Sequence, residues 1–379
     1  MKLNIQKEDL YSAVKAVARA VSSKNTLPIL GGIMLSSSED QPGKLWLRAT
    51  DLELAMECVI DADIEEVGQI VVPGRYFLDL VSHLPAGNIA LESKGYEELT
   101  LYYEKSQVCV RCFDPDEFPA LPQAEGDICG QIPVATFRRM VKQVKIATAS
   151  DEVRPLFTGI LIELEADKLA MVASDTHRLA LSLGGWQGTG QARLVLPSRT
   201  MNEIASLSVN EEGLIQITAS QNQAYFQVDN ITFVTRVISG QYPDYNQVLP
   251  ATSLYNSHCI VHKGKLIEAL ERASLLARDT ARGRANIVKL IWGQNILTLL
   301  AEAPDIGSIH EEIAVDLEGA ELEASYNIRY LLEALKVIEE EQVVFHLTGE
   351  NTPGVILPAG QELGASQYTY LVLPVRVSR

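Results

Sequence analysis

Gly32-Ile33-Met34-Leu35 leading to Ala49-Thr50-Asp51, and Gly159-Ile160-Leu161-Ile162 leading to Ala173-Ser174-Asp175, read as one strand pair written twice. A third copy runs from Ile287-Val288-Lys289-Leu290 to Ala303-Pro304-Asp305, so the three aspartates fall 124 and then 130 residues apart. Such a period is weighed before any motif, because it decides the architecture. Each pair is preceded by a short strand and a helix, over residues 3–21, 131–147 and 260–277. Leu10, Val14, Val17 and Val21 recur at helical spacing in the first, and Phe137, Met140, Val141 and Val144 in the second. Leu266, Leu270, Ala273 and Leu276 do so in the third, so every copy has one apolar helix face.

A second helix follows each pair, announced by Val72-Pro73-Gly74-Arg75, by Leu196-Pro197-Ser198-Arg199, and by Arg329 ahead of Leu331, Leu332 and Leu335. Ser198 is the expected N-cap of its helix. Phe118-Pro119, Tyr242-Pro243 and Leu373-Pro374 close the three units. The spacing far exceeds the roughly 20 to 50 residues of a solenoid turn, so the units are domains. The pattern predicts an α+β chain of three repeated domains, 1–124, 125–251 and 252–379, each with two helices and antiparallel sheets. Residues 123–127 and 250–253 carry the linker chemistry.

The 379 residues are 47% hydrophobic and 21% charged, as in globular proteins, and no apolar run approaches the roughly 18 residues of a membrane span. The N-terminus lacks the basic start and apolar middle of a secretory signal, so a cytoplasmic location is expected. Cys58, Cys109, Cys112, Cys129 and Cys259 are an odd number without framework spacing and predict buried or half-buried free thiols. The net charge of −17, taken alone, argues against nucleic acid, since phosphate binding rests on Lys and Arg.

The placement of the cations argues the other way. Arg138, Arg139, Lys142 and Lys145 share one helix without an acid, and Lys15, Arg19 and Lys24 mark the first copy. Lys263, Lys265, Arg272, Arg278, Arg282 and Arg284 mark the third, whereas residues 61–66, 316–323 and 339–341 are acidic and are placed outside. Similar units joined head to tail close into a ring or run on as a filament. Two chains would give six units and twelve inner helices; at about 10 Å per helix the circumference is about 120 Å and the diameter about 38 Å. A duplex roughly 20 Å across passes through such a hole.

In this order the motifs are specific. Thr26-Leu27-Pro28-Ile29-Leu30, Ala49-Thr50-Asp51-Leu52-Glu53, Phe118-Pro119, Val153-Arg154 with Gly159, Ser174-Asp175-Thr176-His177-Arg178-Leu179, Tyr242-Pro243-Asp244-Tyr245 and Leu373-Pro374-Val375-Arg376 together resemble the bacterial sliding clamps, the DNA polymerase III β subunits. The resemblance covers the whole chain. It implies a non-catalytic, cofactor-free and metal-free processivity factor: a head-to-tail homodimer that encircles duplex DNA of any sequence. An ATP-dependent loader opens it, and it tethers the replicative polymerase and other partners on the nucleoid. By the same resemblance a partner peptide enters a groove of Phe157, Ser174, Thr176, His177, Arg178, Leu179, Pro243, Val248, Tyr330, Leu371, Leu373, Pro374, Val375 and Arg376. Dimer contacts fall to Val108 and Val110 on an edge strand and to Leu275 and Leu276 opposite. DNA contacts fall to Lys24, Arg75, Arg154 and Arg199 and to Lys15, Arg19, Arg138, Arg139, Lys142, Lys145, Lys265 and Arg272. Thr176 stands where the family often has glycine, and its Cβ opposes a left-handed backbone there. Gln247 stands where the family often has arginine, and Ser378 and Arg379 extend past the usual end.

Other chemistry fits less well. Cys109 and Cys112 lie on an alternating stretch that sends their thiols to opposite faces, so they do not share a metal. Ser174, Asp175 and His177 supply hydrolase residue types without a Gly-x-Ser-x-Gly elbow, and Asp175 recurs as Asp51 and Asp305 in copies without the histidine, which favours a turn role. Gly184-Gly185-Trp186 lacks the Lys-Ser/Thr of a phosphate loop. A repeat-built peptide adaptor that never meets DNA is the remaining alternative, and it leaves the basic helices unexplained.

Overall fold

The computed structural model describes residues 1–22, 27–122, 124–151, 153–165, 167–207, 209–249, 252–277, 286–303, 306–362, 364 and 366–376. The chain forms two compact units: Met1–Ala135 with Gln187–Gly190 and Glu203–Val237, and Thr136–Trp186 with Gln191–Asn202 and the chain from Ile238 on. Among the described residues there are seven helices: α1 (Lys7–Val17), α2 (Gly74–His83), α3 (Val134–Val144), the single turn α4 (Pro155–Thr158), α5 (Ser198–Ala205), α6 (Lys263–Ala277) and α7 (Ile328–Val337). Leaving out α4, they fall in pairs, as the repeat predicts. All paired strands are antiparallel, so the fold is α+β.

In the first unit a five-stranded sheet runs Asp63–Glu66, Lys2–Gln6, Asn88–Ser93, Glu98–Tyr103, Ser106–Arg111. A nine-stranded sheet runs Gln187–Thr189, Ile128–Pro133, Leu214–Ala219, Gln223–Val228, Ile231–Arg236, Leu54–Asp61, Lys44–Thr50, Gly32–Ser36, Gln69–Pro73. Its middle is a joint between copies: Ile231–Arg236 of the second repeat pairs with Leu54–Asp61 of the first, Phe233 opposite Met56 and Val234 opposite Ala55. The spacing of Leu10, Val14 and Val17 makes α1 amphipathic, and all three are buried where α1 packs on Leu54–Asp61 and on α2. Glu8 and Asp9 in its first turn and Lys15 in its last suit the helix dipole. Gly74 opens α2 because a Cβ there would meet Val21 at 2.8 Å and the Gly31 carbonyl at 3.1 Å.

In the second unit one twelve-stranded sheet runs Ala192–Pro197, Gly159–Glu165, Lys168–Ser174, Arg178–Gly185, Tyr368–Val372, Gly354–Pro358, Gln342–Leu347, Ser257–His262, Gly307–Gly319, Ile296–Ala303, Ile287–Trp292, Leu322–Asn327. It holds the second joint, where Tyr368–Val372 of the third repeat pairs with Arg178–Gly185 of the second, Tyr370 opposite Ala180 and Leu371 opposite Leu179. Gly307–Gly319 is long enough to serve two neighbours, pairing first with Ile296–Ala303 and then with Ser257–His262. Phe137, Met140, Val141 and Val144 of α3 are buried, and Gly184 admits Met140, whose sulfur would lie 2.6 Å from an added Cβ.

Two expectations need correction. Ser198 is the first helical residue of α5 and no cap; Pro197 precedes it, and the Ser198 hydroxyl accepts from the Thr148 hydroxyl at 3.4 Å. A side-chain cap is found instead on α7, where Asn327 Oδ1 accepts from the Arg329 amide at 2.9 Å. The five thiols are free, but Cys109 and Cys129 are exposed, because each lies on the solvent side of an alternating strand. Burial pushes the Cys58 thiol up to about 11 and those of Cys112 and Cys259 to about 12.

His258 and His346 face each other across Ser257–His262 and Gln342–Leu347, with their Nδ1 atoms 2.6 Å apart, and His346 packs edge-on against Tyr255. Burial, and then His258, bring His346 down to about 4. The unfolded chain therefore takes up this proton first, and the stability present above about pH 6.5 drains away as the pH falls through 4. Denaturant titrations should show a loss on the order of 2 kcal/mol across that window that a His346→Gln protein lacks; equal pH profiles for the two proteins would refute the assignment.

Candidate functional site

Two aspartates of the repeat build the same loop. Asp51 Oδ1 accepts from the amides of Glu53 at 3.1 Å and Leu54 at 2.9 Å; Asp175 Oδ1 accepts from those of His177 at 3.0 Å and Arg178 at 3.1 Å. The turn role expected of this aspartate holds at both positions, while Asp305 lies outside the described residues. Between aspartate and strand the chain passes through the left-handed region, at Leu52 with φ 76° and Thr176 with φ 77°. The Cβ of Thr176 thus does not abolish the conformation that glycine would adopt freely; the aspartate's two accepted bonds impose it.

The loop also disposes of the hydrolase reading. The Ser174 hydroxyl donates to the Arg178 carbonyl and accepts from the Thr176 amide, and the Asp175 carboxylate serves backbone amides and Arg178 Nε. His177 stacks on Tyr330 at 6.5 Å between ring centroids. Nucleophile, base and orienter do not converge.

Arg178 pins this loop to α7. Its guanidinium is 5% exposed, pairs with Asp175 at 2.9 Å and with Glu333, and lies 4.1 Å over the Tyr330 ring. Burial works against the charge, but Tyr370 and Glu333 more than offset it and hold the group firmly protonated. On the other flank Phe157 of α4 meets Tyr242 at 5.8 Å, with Arg154 above its ring at 5.6 Å. Leu161, Val172, Leu179, Tyr242, Val355 and Leu371 form the floor, against which Phe157 and Leu373 pack half-buried. The C-terminal stretch is held by its backbone: the Leu373 amide donates to the His177 carbonyl at 2.9 Å and the Val375 amide to the Ser325 carbonyl at 2.7 Å. Pro243 and Val248 are exposed, Pro374 and Val375 are half-buried at the edge, and Arg376 is exposed. The expected groove residues are thus all in the second unit, with apolar surface left open beside fixed polar groups.

Several residues that hold this site escaped sequence reading. Arg193 bonds Glu163 at 3.1 Å and donates to the carbonyls of Tyr242 and Pro243, while the Tyr245 hydroxyl donates to Glu163 at 2.7 Å. Gln247 donates to Asp244 at 3.2 Å and so stays within its own turn. Next to the groove a cleft of about 690 Å³ is lined by Lys145, Arg154, His177, Arg178, Arg199 and Arg329 among others.

Of the expected DNA contacts, Lys15, Arg75, Lys142, Lys145, Arg154, Arg199 and Lys265 are exposed. Arg138 and Arg139 are half-buried, and Arg139 donates to Gln143 and to the Leu183 carbonyl. Arg19 is tied to Glu203 at 2.8 Å, and Arg272 forks onto Glu311 through two bonds of 2.6 Å. Such pairing neutralises much of the charge those two would offer a phosphate. Lys24, Ser378 and Arg379 lie outside the described residues. Val110 is buried and Val108 half-buried on the edge strand Ser106–Arg111, while Leu275 on α6 is 62% exposed and Leu276 half-buried. Among the described residues no helix is long and apolar enough to cross a membrane.

Three family models match, one after another: the DNA polymerase III beta subunit N-terminal domain over residues 1–122, its central domain over 131–244 and its C-terminal domain over 246–376. The chain is 30% identical over 386 residues to the beta sliding clamp of Staphylococcus aureus (strain Mu50 / ATCC 700699), covering 99% of each. It superimposes on the DNA polymerase sliding clamp from Bacillus subtilis with a TM-score of 0.93 at 30% identity, covering 100% of both chains. It does so on the DNA polymerase III subunit beta from Pseudomonas aeruginosa with a TM-score of 0.91 at 27% identity, covering 99% of this chain and 100% of that one. The chain belongs to the DNA polymerase III beta subunit family.

The left-handed threonine makes a direct prediction. Thr176→Gly should raise the unfolding free energy by about 1 kcal/mol, read from the denaturant midpoint at unchanged slope. A lower midpoint would show that the Arg154 to Thr176 bond of 3.4 Å outweighs the backbone strain.

Proposed function

We propose that this chain is a sliding clamp. Two copies join head to tail into a ring of six units with twelve inner helices, with duplex DNA running through it. The domain limits are 1–124, 125–251 and 252–379. The observation that carries this is the repeated joint: copy one meets copy two, and copy two meets copy three, by antiparallel pairing of the last strand of the later copy with the same strand of the earlier one. One strand of each kind is left over, Ser106–Arg111 as the edge of its sheet and the first half of Gly307–Gly319, which pairs on one side only among the described residues. Bare edges of complementary kind at the two ends of a series are what a closed ring consumes.

The clamp carries out no chemistry and needs no cofactor or metal. Exposed Lys15, Arg75, Lys142, Lys145, Arg154, Arg199 and Lys265 face the duplex with half-buried Arg138 and Arg139, while the overall charge of −17 keeps the grip loose. The groove between Phe157, His177, Tyr330, Val248 and Pro374 takes an apolar peptide segment of the replicative polymerase and, in turn, of other partners. Energy for opening comes from an ATP-dependent loader, and the work takes place in the cytoplasm on the nucleoid.

Changing Lys15, Arg75, Lys142 and Lys265 to Glu together should leave the dimer intact in sedimentation. Retention of loaded protein on nicked circular DNA should shorten at least about tenfold, and the salt slope should fall by about 0.9 per lost phosphate contact. Unchanged retention would favour the adaptor that never meets DNA. A chain ending at Val372 should still dimerise and lose polymerase-peptide affinity by about tenfold or more, as judged by fluorescence anisotropy. Full affinity after that truncation would rule out this groove.

A further inference from the structure

We propose that His258 and His346, side by side on one face of the twelve-stranded sheet, bind a borderline divalent transition ion, zinc foremost, with Glu318 as its third ligand. The ring and the groove need no such ion, so this site stands apart from both.

The backbone builds the site. Glu318, His258 and His346 are directly opposite one another on three adjacent strands, Gly307–Gly319, Ser257–His262 and Gln342–Leu347. Opposite residues on antiparallel strands share a face, with Cβ atoms about 5 Å apart, a spacing from which two imidazoles reach one ion. The two rings already meet: their Nδ1 atoms lie 2.6 Å apart and their planes cross at 76°. In that contact one Nδ1 carries a hydrogen and the other accepts it. An ion takes the place of the hydrogen, which moves to the other nitrogen of its own ring, so both rings stay neutral and each turns a lone pair to the metal. Zinc sits about 2.0 Å from an imidazole nitrogen, and a tetrahedral angle then sets the two nitrogens about 3.3 Å apart. The rings therefore part by only about 0.7 Å, within reach of small turns about their side-chain torsions.

The remaining histidines of the chain are engaged elsewhere: His83 with Ser82 and the Asp79 carbonyl, His177 with Tyr330, His262 with the Lys265 amide and His310 with Glu312. Among the described residues no three ligating side chains already converge, and the exposed Glu318 has to swing across His258 to complete the set. Asp316, opposite Ile260 on the same face, adds a second negative charge. The two carboxylates offset the cost that half-burial of the histidines imposes on a dication. Imidazole also selects the ion, since it suits zinc, nickel and copper, whereas magnesium and calcium ask for oxygen ligands. His346 Nε2 is buried with no partner among the described residues, so no outer hydrogen bond stiffens this ligand, and micromolar affinity is expected in place of nanomolar. A bound ion clips three strands together, and through the edge-on contact of His346 with Tyr255 it braces the core cluster that floors the groove.

The test uses the full chain with Cys109→Ser and Cys129→Ser, which removes the exposed thiols. Calorimetric titration with Zn2+ alone should show one ion per chain at micromolar affinity, undisturbed by millimolar Mg2+. His258→Gln should weaken that binding at least about tenfold and Glu318→Gln about threefold, with circular dichroism and sedimentation unchanged. Zn2+ should raise the thermal midpoint of the parent more than that of the His258→Gln protein. Anomalous scattering at the zinc edge, from crystals of the parent grown with Zn2+, should place a peak between the two Nδ1 atoms, a readout that does not depend on how the variants fold. Equal affinity in the parent and the His258→Gln protein, no binding at one ion per chain, or the absence of a peak between these rings overturns the site.

Discussion

Main-chain hydrogen bonding from one repeat to the next is the constraint on which the rest of this molecule depends. Each copy ends in a strand with a bare edge and also presents one, and backbone amides and carbonyls left unpaired are costly once their surroundings are covered. The sheets therefore run through the repeat boundaries: nine strands combine the first and second copies, and twelve combine the second and third. Compactness consequently follows the sheets rather than the repeats, and the strands Leu214–Ala219 to Ile231–Arg236 go with the first copy. Side chains refine these joints, but the ladder itself asks only for edges of matching length and face.

Much of this was legible in the sequence because it is periodic. The apolar faces of α1, α3 and α6, the strand pairs and the doubled aspartate loop each occur at least twice, and repetition separates a structural signal from composition. The unread features have no local signature. Arg178 finds Glu333 from 155 residues away, and nothing in either neighbourhood marks the partner. The caps went the other way: Ser198 has the right chemistry one residue too late, while Asn327 caps a helix whose proline landmark is missing. Exposure of Cys109 and Cys129 depends on which side of a strand faces a core, and this is settled by tertiary packing.

The groove is a compromise between an open apolar surface and a rigid rim. Its floor of leucines, valines and Tyr242 belongs to the continuous core of the second unit, so it stays in place without an occupant. The rim is fixed by backbone bonds from Leu373 and Val375 and by the buried guanidinium of Arg178. Burial pushes the Tyr242 and Tyr370 hydroxyls up, so both stay neutral at physiological pH, and that of Tyr370 donates to the Tyr330 carbonyl at 3.0 Å. Such preorganisation lowers the ordering entropy that the walls of the groove themselves would give up on taking any occupant.

The matched backbones at Leu52 and Thr176 have a further consequence. The bend is dictated by the preceding carboxylate, and the residue at its tip, a leucine in one copy and a threonine in the other, merely tolerates it. The tip is thus an exchangeable fitting on a fixed bracket: its chemistry can be altered with little disturbance to the strands that it joins.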